Sequence, residues 1–146
     1  MEQIFICEDS QEGVFTGIYD AYALKCDHDS TYIQVGEDGN LRLFAEYRKI
    51  IPDMQKADKV RRTILSRFGE ECYEQFCYAL SSWETDKGQA VYQAVVEGLK
   101  GRFRGQLQDH LGNSDVRRVF ELSRSAGNEA HHLLGFLRFE ETTGGV

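Results

Sequence analysis

DVRRVFELSRSAGNEAHHLLGFLRF, Asp115 to Phe139, is the stretch whose reading decides the fold. Val116, Val119, Phe120, Ser123, Ala126, Ala130, Leu133, Leu134 and Leu137 recur every three or four residues, the spacing that lines one side of a helix. At 1.5 Å per residue such a helix runs about 36 Å, longer than most, and is expected to be the spine of the core.

The two halves of this stretch differ. Up to Asn128 the stripe is flanked by Arg117, Arg118, Glu121, Arg124 and Ser125, an ordinary solvated face. From Leu133 onward Leu134, Phe136, Leu137 and Phe139 leave no wet side, so that end needs a cover. Gly127 and Gly135, four positions either side of His131, leave notches where another backbone can approach.

Working outward, Gly112-Asn113-Ser114 starts the spine, and before it comes the most basic stretch, Lys100-Gly101-Arg102-Phe103-Arg104-Gly105. Val91, Tyr92, Val95, Val96 and Leu99 predict a helix that Asp86 can cap. Tyr73, Phe76, Cys77 and Leu80 predict another, followed by Trp83. Ala57, Val60, Ile64, Leu65 and Phe68 form a stripe flanked by Lys56, Lys59, Arg61, Arg62 and Arg67 and ended by Gly69, while Pro52 marks the entry to this helical part. Nearer the start, Glu2 to Cys7 alternates as a short strand. Asp9-Ser10 then offers cap chemistry for a helix from about Gln11 to Lys25, with Val14, Phe15, Ile18, Tyr19, Tyr22 and Ala23 at helical spacing. Between these parts, Tyr32 to Val35, a turn at Gly36 to Asn40, and Leu41 to Tyr47 read as a hairpin, and His28 reads as a surface residue of a polar turn. The expected fold is α+β and mostly helical: about five helices, a small sheet near the N-terminal part, and the long C-terminal helix as core spine.

At 146 residues, 41% hydrophobic and 12% aromatic, the chain reads as one globular domain, 1–146. No apolar run reaches membrane-spanning length, and the start, MEQIFICED, has acids where a signal peptide needs basic residues, so the cytoplasm is the expected compartment. Cys7, Cys26, Cys72 and Cys77 are irregularly spaced, which favours reduced thiols over disulfides. They lack a zinc pattern and the cysteine triplet of a radical-SAM cluster, so neither metal nor cofactor is expected.

The net charge of −7 disfavours a free-standing, nonspecific nucleic-acid binder. It is unevenly placed: residues 1–40 hold one lysine against nine acids, and the rest hold 16 basic residues against 15 acidic ones. Any anion-binding face therefore belongs to the later part. There Lys100, Arg102 and Arg104, with Arg117, Arg118 and Arg124, are candidate phosphate contacts flanking one groove, and Phe103 is a candidate for stacking on a base. Solvated side chains with Phe103 turned inward are the bland alternative.

Glu129 and His132 are three apart on the predicted helix, and His131 faces the glycine notches. A carboxylate beside an imidazole suits acid–base chemistry, which makes Glu129 and His131 the candidates should the chain be an enzyme. The commoner role for such a set is a polar network fixing the helix against a neighbour. Phosphate-loop, dinucleotide and nucleophile-elbow motifs are missing.

EAHHLLGFLRF, Glu129 to Phe139, resembles the signature of a bacterial family labelled DNA metabolism proteins. IFICEDSQEGVFTGIYDAY from Ile4, KADKVRRTIL from Lys56 and VYQAVVEGLKGRF from Val91 agree with it in order, so the resemblance spans essentially the whole chain. It implies a gene neighbour that is a radical-SAM protein of DNA modification or repair, and longer relatives in which the domain precedes a uracil-DNA glycosylase. Two departures stand out. His131 is followed by His132 where the family has arginine, and the family's domain continues beyond Val146, so a truncation is expected.

The expected function is that of an accessory protein of bacterial DNA repair or modification that binds the radical-SAM partner, DNA or both. Glu129, His131, His132, Leu134, Phe136 and Phe139 would form its partner surface. An enzyme acting on a nucleotide or damaged base through Glu129 and His131 is one alternative. A self-associating module, dimeric through its apolar C-terminal end, is the other.

Overall fold

The structure, a computed structural model, describes residues 2–36, 44–100 and 113–126. In chain order it has β1 (Glu2–Cys7), α1 (Gln11–Ala23), a 3-10 turn (His28–Ser30), β2 (Thr31–Val35), β3 (Ala45–Lys49), α2 (Met54–Phe68), α3 (Glu70–Leu80) and α4 (Lys87–Leu99). A further helix, α5, occupies 114–126. The fold is α+β and mostly helical, with a three-stranded sheet built from the N-terminal part.

Local chemistry explains most boundaries. Ser10 Oγ accepts from Gly13 N–H at 3.0 Å and so caps α1. Lys25, at φ 54°, lies beyond the helix, which stops two residues short of the expected Lys25. Asp53 Oδ1 accepts from Gln55 and Lys56 N–H to start α2, and Asp53 N–H donates to Thr16 Oγ1 at 3.0 Å, tying that start to the middle of α1. Gly69, at φ 91°, ends α2 and turns the chain into α3. Asn113 Oδ1 accepts from Asp115 and Val116 N–H and opens α5.

The sheet departs from the expected hairpin. β2 and β3 do not pair with each other; they lie on opposite edges of β1, both parallel to it, in the order β2-β1-β3. In a hairpin β2 and β3 would spend their ladders on each other, whereas here both ladders are spent on β1. Gly36 N–H extends the first by donating to Cys7 O at 2.8 Å, and Ile50 N–H extends the second by donating to Ile6 O at 2.9 Å. The positions 41–43 of the expected partner strand lie outside the described residues.

Register puts Phe5 beside Ile33 and Cys7 beside Val35, on one face of the sheet. Helices α1 and α4 cover that face, each through a glycine. A Cβ on Gly17 would sit 2.4 Å from Cys7 Sγ, and one on Gly88 would sit 2.8 Å from Val35 Cγ2. Around this contact one apolar core joins Phe5, Val14, Ile18, Ile64, Phe76, Val91, Val95, Val116, Val119 and Leu122. In the first half of the expected spine Val116, Val119 and Ala126 are buried, with Ser123 Oγ bonded to Gln75 on α3 at 2.5 Å, while Phe120 of the predicted stripe is only half-buried and Leu122, outside that stripe, joins the core. From 127 onward the spine lies outside the described residues. No helix among the described residues is long and apolar enough to cross a membrane.

Gly17→Ala should destabilise the fold by about 1–3 kcal/mol, the usual cost of forcing a methyl group into a packed contact. Because the clash is with one sulfur atom, Cys7→Ala should return part of that loss. A denaturant double-mutant cycle reads the coupling, and strictly additive variants would refute the contact as the cause.

Candidate functional site

Helices α1, α2 and α4 meet along a groove of about 260 Å³. Its apolar floor is Ile18, Val60, Ile64 and Val95, and Leu99 also lines it, at the last position of α4. Tyr19 and Tyr22 come from α1, and Lys59 and Thr63, one turn apart, come from α2. Tyr19 and Tyr22, at helical spacing with Phe15 and Ile18, stand at the edge of the groove: Tyr19 is partly buried against the core and Tyr22 is 36% exposed. Lys59 Nζ lies 5.6 Å and Lys56 Nζ 5.8 Å from the centroid of the Tyr19 ring, within cation–π range. Lys56 also pairs with Asp20 at 2.9 Å, which raises its pKa.

Tyr22 is held by a residue read as solvent-facing. His28, on the 3-10 turn, is half-buried, with its ring 4.4 Å from that of Tyr22 and 5.6 Å from that of Tyr92. Its Nδ1 is hydrogen-bonded to the Tyr92 hydroxyl. Burial, helped by the positive charge of Lys100, lowers the His28 pKa below its ordinary value. Burial thus favours the neutral ring, whose Nδ1 shares a hydrogen bond with the Tyr92 hydroxyl. Burial likewise raises the Tyr92 pKa, which keeps that hydroxyl protonated. The turn pattern Asp27-His28-Asp29-Ser30 carries no sign of these partners: Tyr92 arrives from α4, 64 residues on, and Tyr22 from the last turn of α1, which the chain must fold back to meet.

The predicted phosphate contacts are dispersed. Lys100 is exposed at the C-cap of α4, on the His28 side. Arg118 lies at the other end of that helix. Its Nε and Nη2 bond the two oxygens of Asp86 at 2.7 and 2.8 Å, with Glu121 at 3.3 Å and Glu84 at 3.9 Å. The 13 residues of α4 separate these two ends by about 20 Å. Hydrogen bonding to Arg118 lowers the Asp86 pKa and raises that of Arg118. Asp86 therefore occupies the N-cap position of α4 as expected, yet its side chain caps no helix N–H and instead pins α5 to α4. Arg117 and Arg124 are exposed on α5. Arg102, Phe103 and Arg104 lie outside the described residues, as do Glu129, His131, His132, Leu134, Phe136 and Phe139.

Other polar groups hold the fold together. Lys87, 4% exposed, donates to Asp9 Oδ1 and to Ser82 O, each at 2.6 Å, joining the start of α4 to the β1–α1 turn. Burial pushes the Cys7 and Cys72 thiols up to about 12, so neither is a thiolate nucleophile near neutrality. Among the described residues no group of three or more His, Cys, Asp or Glu side chains is placed to hold a metal ion.

The family model of DUF4130, a domain of unknown function, matches residues 85–146. The match takes in α4 and α5, so the groove joins matched residues, Val95 and Leu99, to unmatched ones on α1 and α2. No curated protein and no solved structure matches the chain.

The His28 cluster predicts a pH-dependent stability. With the folded pKa lowered, the unfolded chain binds a proton more readily, so stability should fall as pH drops below about 6.5 towards the folded value. His28→Asn should flatten this part of the denaturation-versus-pH curve, and equal slopes for the two proteins would rule out the cluster as its source.

Proposed function

We propose that this chain is an accessory protein of bacterial DNA repair or modification, which binds a radical-SAM protein, DNA or both and leaves the bond-making chemistry to its partner. The resemblance carried by EAHHLLGFLRF and the three upstream segments motivates the process. One structural observation supports the binding mode: an exposed cation, Lys100, closes α4 next to a groove edged by Tyr19, Tyr22 and Lys59. Lysine and arginine supply phosphate attraction, and aromatic rings supply base contact.

In this reading Lys100, Arg102, Arg104, Arg117 and Arg124 meet phosphates and Phe103 meets a base. Arg118 contributes little, because its planar fork is already engaged by Asp86. Glu129, His131, His132, Leu134, Phe136 and Phe139 serve the protein partner.

A DNA titration at several salt concentrations, paired with co-purification of the neighbouring radical-SAM protein, tests the proposal. Each phosphate contact should add about 0.7–0.9 to the slope of log affinity against log salt. Lys100→Gln and Arg124→Gln should each lower that slope by about one, while Arg118→Gln leaves it nearly unchanged. A protein that binds neither DNA nor the partner would overturn the reading.

A further inference from the structure

We infer that the groove between α1, α2 and α4 receives one unstacked base of single-stranded DNA, with the attached phosphates meeting Lys59 on one side and Lys100 beyond Leu99. The inference rests on the DNA-binding reading above and adds to it the form of nucleic acid and the place of contact.

Size and lining come first. At about 260 Å³ the groove falls just under the roughly 300–1,000 Å³ of sites for drug-sized ligands, which suits a single flat ring system and excludes a duplex. Its floor is aliphatic, offering a base an apolar surface but no pattern of donors and acceptors. Recognition would therefore be tolerant of sequence, as stacking on aromatic side chains generally is.

The edges supply the rest. Tyr22 is backed by His28, whose ring is in turn fixed by the Tyr92 hydroxyl, so the exposed tyrosine is already ordered before any ligand arrives. Preorganisation of this kind reduces the entropy lost on binding.

Charge then chooses the occupant. In a chain of net charge −7, α2 carries five basic residues against one acid; Lys56, Arg61 and Arg62 are paired with Asp20 and Asp58, and Lys59 is the cation that this helix sets on the groove beside Thr63. Lys100 lies at the Leu99 end. An apolar peptide side chain would satisfy the floor but leave this cationic margin without a role, whereas a nucleotide uses both.

The test compares full-chain binding of a fluorescent oligothymidine with that of a labelled hairpin duplex, by anisotropy. The single strand should bind more tightly. Tyr22→Leu should weaken it about ten-fold, within the range for losing one base–aromatic stack, and Tyr22→Phe should restore it. Lys59→Gln should lower the salt slope by about one. Thr63 is exposed, so Thr63→Trp offers a second variant that fills the groove without disturbing the core; it should weaken single-strand binding and spare the duplex. If DNA binds with a salt slope yet ignores strandedness, Tyr22→Leu and Thr63→Trp, the groove assignment is wrong and the DNA reading stands. If neither DNA form binds at all, both fall.

Discussion

The structure depends on β1 having a neighbour on each side. A strand paired along both edges has its backbone polar groups satisfied, and this lets Phe5 and Cys7 be buried without leaving unpaired donors or acceptors. The parallel partners also dictate what covers them. The chain must leave the far end of β1 and cross back to begin β2 beside the start of β1, and α1 occupies that crossover. Gly17 then lets α1 settle directly on Cys7, and Gly88 brings α4 down onto Ile33 and Val35. With two helices set this close to the sheet, α2 packs beside them, and the groove is the furrow left where the three meet.

Elements governed by local chemistry were legible in the chain itself. Ser10 before an apolar periodicity announces α1, Gly69 announces the end of α2, and Asn113 announces α5. The pairing of the strands was not legible. Tyr32–Val35 and the segment ending at Tyr47 flank a run of polar and glycine residues in the sequence, and nearest-neighbour pairing would make them a hairpin. The choice of β1 as common partner is made by burial of Phe5 and Ile33 beneath α1 and α4, and α4 lies far along the chain. A strand only five or six residues long cannot advertise which edge it will use.

The candidate site was legible in pieces. Lys100 and the cations of α2 were visible as charge, but Tyr19 and Tyr22 share a helical spacing with Phe15 and Ile18, and periodicity alone does not tell the floor of a groove from its edge. His28 sits in a turn whose composition is purely polar, and its partners Tyr22 and Tyr92 become neighbours only when α1 and α4 dock. Arg118 shows the reverse problem. As a charge on a helix it resembles Arg124, yet Asp86 holds it in place, and only the crossing of α4 and α5 reveals that. Ion pairs of this exposure contribute modestly to stability; their greater effect is to decide which cations remain available to a ligand.

Cys7 and Cys72 give the molecule a built-in clock. One lies under α1 in the sheet and the other on α3, both shielded from water and held as thiols. A maleimide can reach either sulfur only when its surroundings open, so the two alkylation rates report separately on how often the sheet end and the helical end come apart. Equal rates would mean that the two ends breathe together as one cooperative unit, and unequal rates would locate the weaker seam.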